Sequence, residues 1–171
     1  RYIATAAYGN KDYPTAETAM TKWINEAGAK RVLPSDYLLL GKTQIEEKKD
    51  SLGVQTLRKA LTLDTTQVDL YGEIAGALYK QKKFADAASA FYTYGQKSRS
   101  AQLNDHYKEG YSWFEAYKQQ YIAAQNNKTA PKPDSTFLLR ADSAFTYVER
   151  KVAKPIAAVI KMHAEVKDFE D

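Results

Sequence analysis

The chain has 171 residues, 44% of them hydrophobic, a net charge of +4 and no cysteine. That composition suits an apolar interior in one domain or a short repeat array and argues against disorder. It also excludes disulfide frameworks, thiol nucleophiles and sulfur-ligated zinc, and no apolar run approaches the ~20 residues that cross a bilayer.

The chain opens at Arg1 without a methionine and already in helical register, so it reads as a trimmed piece of a longer protein. The compartment stays open between cytoplasm and periplasm. Residues 1–9 read as the tail of a helix. Asn10-Lys11-Asp12-Tyr13-Pro14 is a turn in which Asp12 can cap and Pro14 can sit in the first helical turn. The next helix runs to about Ala29 with Ala16, Ala19, Met20, Trp23 and Ile24 on one face. Leu33-Pro34-Ser35 starts a helix over about 36–48, and Asp50-Ser51 opens another that ends near Leu63. Thr66 and Asp69 resemble a capping box for a helix running to about Gln81, and Lys82-Lys83-Phe84 leads into one ending near Lys97.

A longer helix follows to about Gln125, since Leu103, Tyr107, Gly110, Phe114, Tyr117 and Tyr121 recur at threes and fours. The polar, proline-bearing segment 126–133 cannot remain helical. Asp134 or Ser135 caps the next helix, with Leu138, Ala141, Phe145 and Val148 inward, and Pro155 starts the last, carrying Ile156, Val159, Ile160 and His163. No segment shows strand periodicity, so the expected fold class is all-α.

Two stretches 34 residues apart repeat one pattern: Tyr37, Leu40, Gly41, Gly53 and Leu57 correspond to Tyr71, Ile74, Ala75, Ala87 and Phe91. A glycine inside a helix costs about 1 kcal/mol relative to alanine. Two of them twelve residues apart therefore point to a crossing where paired backbones approach. A period in this range implies a solenoid of helical hairpins, an architecture that mostly holds other molecules.

Residues 79–91, from Tyr79 through Lys83-Phe84-Ala85 to Phe91, resemble the helix-turn-helix centre of the tetratricopeptide repeat (TPR) family, and Asn10 to Ala16 resembles the same centre one repeat earlier. The repeat from Asp36 departs at Gln44 and Asp50, where large apolar residues are usual. The resemblance implies a single array over residues 1–171: a truncated first repeat (1–32), a second (34–65), a third (68–99), an irregular fourth with a long insertion (101–153), and the first helix of a further repeat (155–171). In the fourth, one register puts Gly110 in the small slot, and a register shifted by one suits Tyr107 and Phe114 better. The family likeness also implies a right-handed superhelix whose concave groove takes a partner protein or extended peptide. On this chain the groove would carry Leu38, Lys42, Ile45, Gly72, Gly76, Tyr79, Lys80, Tyr107, Tyr111 and Phe114. The slots of the family's carboxylate clamp hold Leu38, Leu39, Lys42, Glu73 and Gly76, a pattern that argues against a clamp.

Gly72 and Gly76 form either a floor for a bound chain or a seat for a packed helix. The aromatic strip Tyr107, Tyr111, Trp113, Phe114, Tyr117 and Tyr121 is read as mostly core, with one or two rings free. His106 and His163 have no carboxylate or second histidine four residues on, so neither metal binding nor acid–base catalysis is expected, and no cofactor is implied. The charge excess lies in residues 1–100, with 15 basic and 11 acidic side chains, and clusters only at Lys80, Lys82 and Lys83. That is a solvated corner and not a phosphate-binding stripe, so nucleic acid is not an expected partner. The expected function is a non-enzymatic binding scaffold. The alternative is the helical segment of a larger cell-envelope protein of outer-membrane lipoprotein type, handling glycans or assembling membrane complexes. Exposure of Ile156, Val159 and Ile160 on an unpaired last helix would favour homo-association.

Overall fold

Small residues can sit where helices cross only if the rest of each helix carries the bulk, and this rule organises the chain. The computed structural model describes residues 1–28, 30–127, 129–152 and 156–170. The expected helix end at Ala29 and helix start at Pro155 lie outside the described residues. Among those residues there are nine α-helices and no strand: α1 (Tyr2–Gly9), α2 (Tyr13–Glu26), α3 (Pro34–Glu46), α4 (Asp50–Leu63), α5 (Leu70–Lys80), α6 (Phe84–Lys97), α7 (Leu103–Asn126), α8 (Thr136–Lys151) and α9 (Ala157–Glu170). The chain divides into two compact units, Arg1–Gln81 and Lys82–Asp171.

In the first unit, consecutive helices from α1 to α5 pack in order. Asp12 caps α2 by accepting the Thr15 N–H at 3.3 Å, and Pro14 occupies the first turn, as expected. At α3, Asp36 reaches back to accept the Leu33 N–H at 2.8 Å. It also accepts from the Trp23 indole at 3.1 Å and from Arg1 at 2.7 and 2.9 Å, which ties the start of α1 and the end of α2 to α3. The glycine crossing forms as expected. A Cβ on Gly41 would meet Leu57 Cδ2 at 2.7 Å, and one on Gly53 would meet the Gly41 carbonyl oxygen at 2.9 Å. Ala4 and Ala16, both 0% exposed, stand 37 residues before that pair, with Met20 in the slot of Leu57. The same offset separates Lys11 from Lys48, and 34 residues separate Lys48 from Lys82. All three are hairpin-turn residues with φ near +60°. Gln44 is buried and joins three helices, donating to Glu17 at 3.2 Å and accepting from Thr56 at 2.7 Å. A polar residue is tolerated in an apolar slot because its hydrogen bonds are made.

One expected cap is absent. The Thr66 N–H and hydroxyl both donate to Asp64, at 3.0 and 2.6 Å, and α5 begins only at Leu70. A closer acceptor two residues upstream wins, as local side-chain turns commonly do.

In the second unit α7 packs between α6 and α8, and α9 packs on α8. A Cβ on Gly110 would meet the Phe145 ring at 2.9 Å, the relation Gly41 has to Leu57. Gly110 therefore occupies the small slot and resolves the register of this hairpin. Phe145 is 0% exposed and heads a core with Phe114, Leu138, Ala141 and Val148. Asp134, not Ser135, supplies the side chain at the start of α8, accepting the Thr136 N–H at 3.0 Å. Val159 corrects an expectation: it is 3% exposed and belongs to this core, whereas Ile156 and Ile160 are each 47% exposed. Phe169 of α9 meets the rings of Phe114, Tyr117 and Tyr121 at 5.6, 5.7 and 5.4 Å, so the far end of the last helix is also anchored.

Candidate functional site

Alternate helices of the first unit, α1, α3 and α5, place Tyr8, Lys42, Glu46 and Glu73 in one electrostatic neighbourhood. Burial pushes the Tyr8 phenol up, Lys42 pulls it down, and Glu46, Tyr13 and Glu73 add to the rise. Lys42 on α3 pairs with Glu73 on α5 at 2.9 Å, both partly exposed. Such a pair adds under ~1 kcal/mol to stability; its consequence is to present both charges on neighbouring helices. Beside it, a Cβ on Gly76 would have nothing within 4 Å. This glycine leaves open space and seats no neighbouring helix.

The other expected groove residues separate into groups. Leu38 lines a cavity of about 220 Å³ with Leu33, Ala60 and Leu70. Ile45 turns the other way, against Gly53, whose added Cβ would lie 2.6 Å from Ile45 Cγ1, so it is committed to the α3–α4 contact. Gly72 and Tyr79 are half-buried and Lys80 is exposed. In the second unit Tyr107 and Tyr111 are half-buried; Tyr107 leans on Phe145 at 5.8 Å and Tyr111 meets Phe84 edge-on at 6.3 Å. Phe114 is a correction: at 0% exposed it fills the core and offers no contact surface. The aromatic strip is thus mostly interior, with Tyr121, 38% exposed, as its freest ring.

Two groups escaped the sequence reading. His163 on α9 lies 2.7 Å from Asp142 and 3.0 Å from Glu149, both on α8. Burial works against its charged form, but the two carboxylates outweigh burial and raise its pKa. The carboxylates are 21 and 14 residues away in sequence, so no i+4 rule finds them. The second group is on α7, where Glu109 and Trp113 lie one turn apart and on the side opposite Tyr107, Tyr111 and Phe114. They form the floor of a cleft of about 520 Å³ that Arg140 of α8 also lines. Burial pushes the Glu109 carboxyl up to about 7, against the opposing pull of the Trp113 indole. Among the described residues, no three His, Asp or Glu side chains gather as a metal site would require, and no helix is long and apolar enough to cross a membrane.

A solved structure of the C-terminal part of a TPR repeat-containing protein from Cytophaga hutchinsonii matches 98% of this chain with a TM-score of 0.62 at 21% identity. The fold is of the tetratricopeptide-repeat type. The TPR likeness extends to MamA MSR-1 C2, which matches with a TM-score of 0.53 at 11% identity, covering 98% of this chain and 94% of that one. The chain spans 58% of the C. hutchinsonii chain. No protein-family profile and no curated protein sequence matches it.

Proposed function

We propose that this chain is a non-catalytic TPR scaffold that holds a partner protein, as an extended peptide or a helix, against the first helices of its hairpins. The observation that carries this reading is the surface of α3 and α5, where the Lys42–Glu73 pair borders the open space at Gly76. A mixed charge pair beside a side-chain-free floor suits a polypeptide backbone, which needs close approach and both donors and acceptors. Tyr79, with Lys80 at the end of α5, supplies an aromatic anchor and a cation on the same helix. Within the second unit, taken by itself, Tyr107 and Tyr111 on α7, the first helix of its own hairpin, are contacts of the same kind.

Panning random dodecapeptides displayed on phage against the immobilised protein tests it. Selected peptides are expected to bind with Kd of order micromolar, about −8 kcal/mol. Gly76→Phe, which fills the open floor, should weaken them by about tenfold or more while leaving thermal unfolding nearly unchanged. Gln55→Ala, at an exposed position of α4, should leave affinity unaltered. Peptides indifferent to Gly76→Phe but lost on Gln55→Ala would move the binding face to the other side of the hairpins.

A further inference from the structure

The cleft on the second unit has a chemistry of its own, distinct from the surface just described. Its walls are Ser89, Tyr92 and Thr93 of α6 and Arg140 and Ser143 of α8; its floor is Glu109 and Trp113 of α7. The floor is built of buried groups, Glu109 being 6% and Trp113 3% exposed. Among the described residues, the buried side-chain polar atoms without a hydrogen-bond partner are Ser112 Oγ and Trp113 Nε1, neighbours on this stretch of α7. The indole lies near enough to Glu109 to affect its acidity, yet makes no full hydrogen bond to it. Buried donors are rarely left in that condition, and this one lines a cleft.

Arg140 is the cleft's cation. Its guanidinium lies 4.6 Å over the Trp113 ring, and no carboxylate among the described residues comes within ion-pair distance. With Phe137 also against that ring at 5.0 Å, the indole face is covered and cannot stack on a sugar. What the cleft offers is one fixed positive charge, one indole N–H, a carboxyl group and four hydroxyls, of which Thr93 and Ser143 already donate to the Ser89 and Leu139 carbonyls of their own helices. A cationic ligand would be repelled by Arg140. A phosphate dianion would face a single cation and a carboxyl poised to ionise. A monoanion with two oxygens can give one to the guanidinium in a charge-assisted hydrogen bond and keep the other for the floor donors.

We propose that this cleft binds a small monoanionic carboxylate, one oxygen on Arg140 and the other on the floor donors Trp113 and Glu109. Glu109 can donate only while it holds its proton, so binding weakens as the carboxyl ionises. The ionisable groups that touch Glu109 or share the cleft are His106 on its own helix, 3.4 Å away, Tyr92 of α6 and Arg140 of α8. His106 packs tilted against the Tyr147 ring at 4.5 Å, and burial lowers its pKa, which favours the uncharged imidazole.

The chain has two tryptophans, which provide the assay. In proton–nitrogen correlation spectra at about pH 6, sodium benzoate should shift the Trp113 indole signal saturably. The Trp23 indole, held by Asp36, should stay still. Benzamide, the neutral analogue, and inorganic phosphate should cause no saturable shift. Arg140→Gln, at an exposed position, should weaken benzoate by about tenfold or more. With the carboxyl titrating at about 7, benzoate affinity should fall about tenfold between pH 6 and pH 8, following the protonated fraction. Glu109→Gln, which keeps a donor and cannot ionise, should bind equally at both. Benzoate shifting neither indole or both alike, phosphate binding more tightly than benzoate, or affinity untouched by Arg140→Gln would each overturn the assignment.

Discussion

Asp36 in the first unit and Glu109 in the second are both buried carboxyl groups near the start of a first helix, at 3% and 6% exposure, yet they are driven in opposite directions. Burial alone would raise both. Asp36 accepts hydrogen bonds from Arg1, Leu33 and Trp23, and these outweigh burial and hold it below the usual carboxylate range. Glu109 has only an imperfectly placed indole and an imidazole whose charge burial also disfavours, so burial wins and its carboxyl titrates at about 7. The number of donors aimed at a buried acid, not the depth of its burial, decides whether it serves as a strut or as a proton-dependent group.

The largest expected effect follows from Glu109. Its folded pKa is above the unfolded one, so the folded state holds a proton that the unfolded state releases between about 4.5 and about 7. Stability therefore falls as pH rises through that window, by about 3 kcal/mol in total. Glu109→Gln removes the loss, so denaturant titrations should show the variant gaining on the wild type by that amount between pH 4.5 and pH 8. A difference that stays flat with pH would erase the contrast with Asp36.

Asp36→Asn should behave in the opposite sense. It costs about 2 kcal/mol at neutral pH by weakening the hydrogen bonds at this junction. The folded pKa of Asp36 is depressed, so its contribution is present above the unfolded value near ~3.9 and is lost as pH falls through the lower folded one. Urea melts below about pH 4 should show wild type and variant converging.

His163 provides a smaller test, because its pKa is raised by Asp142 and Glu149. The stability it adds is fully present below the unfolded pKa near ~6.5 and disappears as pH rises through the folded value. His163→Gln should cost under ~1 kcal/mol at pH 5.5 and almost nothing at pH 9. Smallest of all, Lys48→Gly relieves a left-handed turn residue with φ 62°. It should raise stability by a few tenths to about 1 kcal/mol, as backbone relief is partly offset by glycine's extra freedom in the unfolded chain.

Most of the helical framework was readable because its determinants are local or periodic. Pro14 and Asp12, the glycines twelve apart at 41 and 53, and the threes and fours of α7 each act within a helix or across one hairpin. The errors came where a distant or competing group intervened. Asp64 captured Thr66 from its expected cap, Gly53 drew Ile45 away from the groove face, and the core enclosed by α7, α8 and α9 absorbed Phe114 and Val159. The cleft was invisible because Ser89, Glu109 and Arg140 come from three helices, and a single acid on a helix normally reads as solvated. One clue was present: Trp113, one turn from Glu109 and on the side of α7 opposite Tyr107, Tyr111 and Phe114, marks a second apolar contact on that helix.

Each unit contains a single indole, and the two rings sit in unlike surroundings: Trp23 lies under the guanidinium groups of Arg1 and Arg31, Trp113 beneath Arg140 and beside a titrating acid. Nature has thus installed one fluorophore per half. Replacing either ring by phenylalanine leaves an emission signal that reports on the other half alone, so a denaturant series on the two variants will reveal whether the halves melt as one cooperative body or in succession.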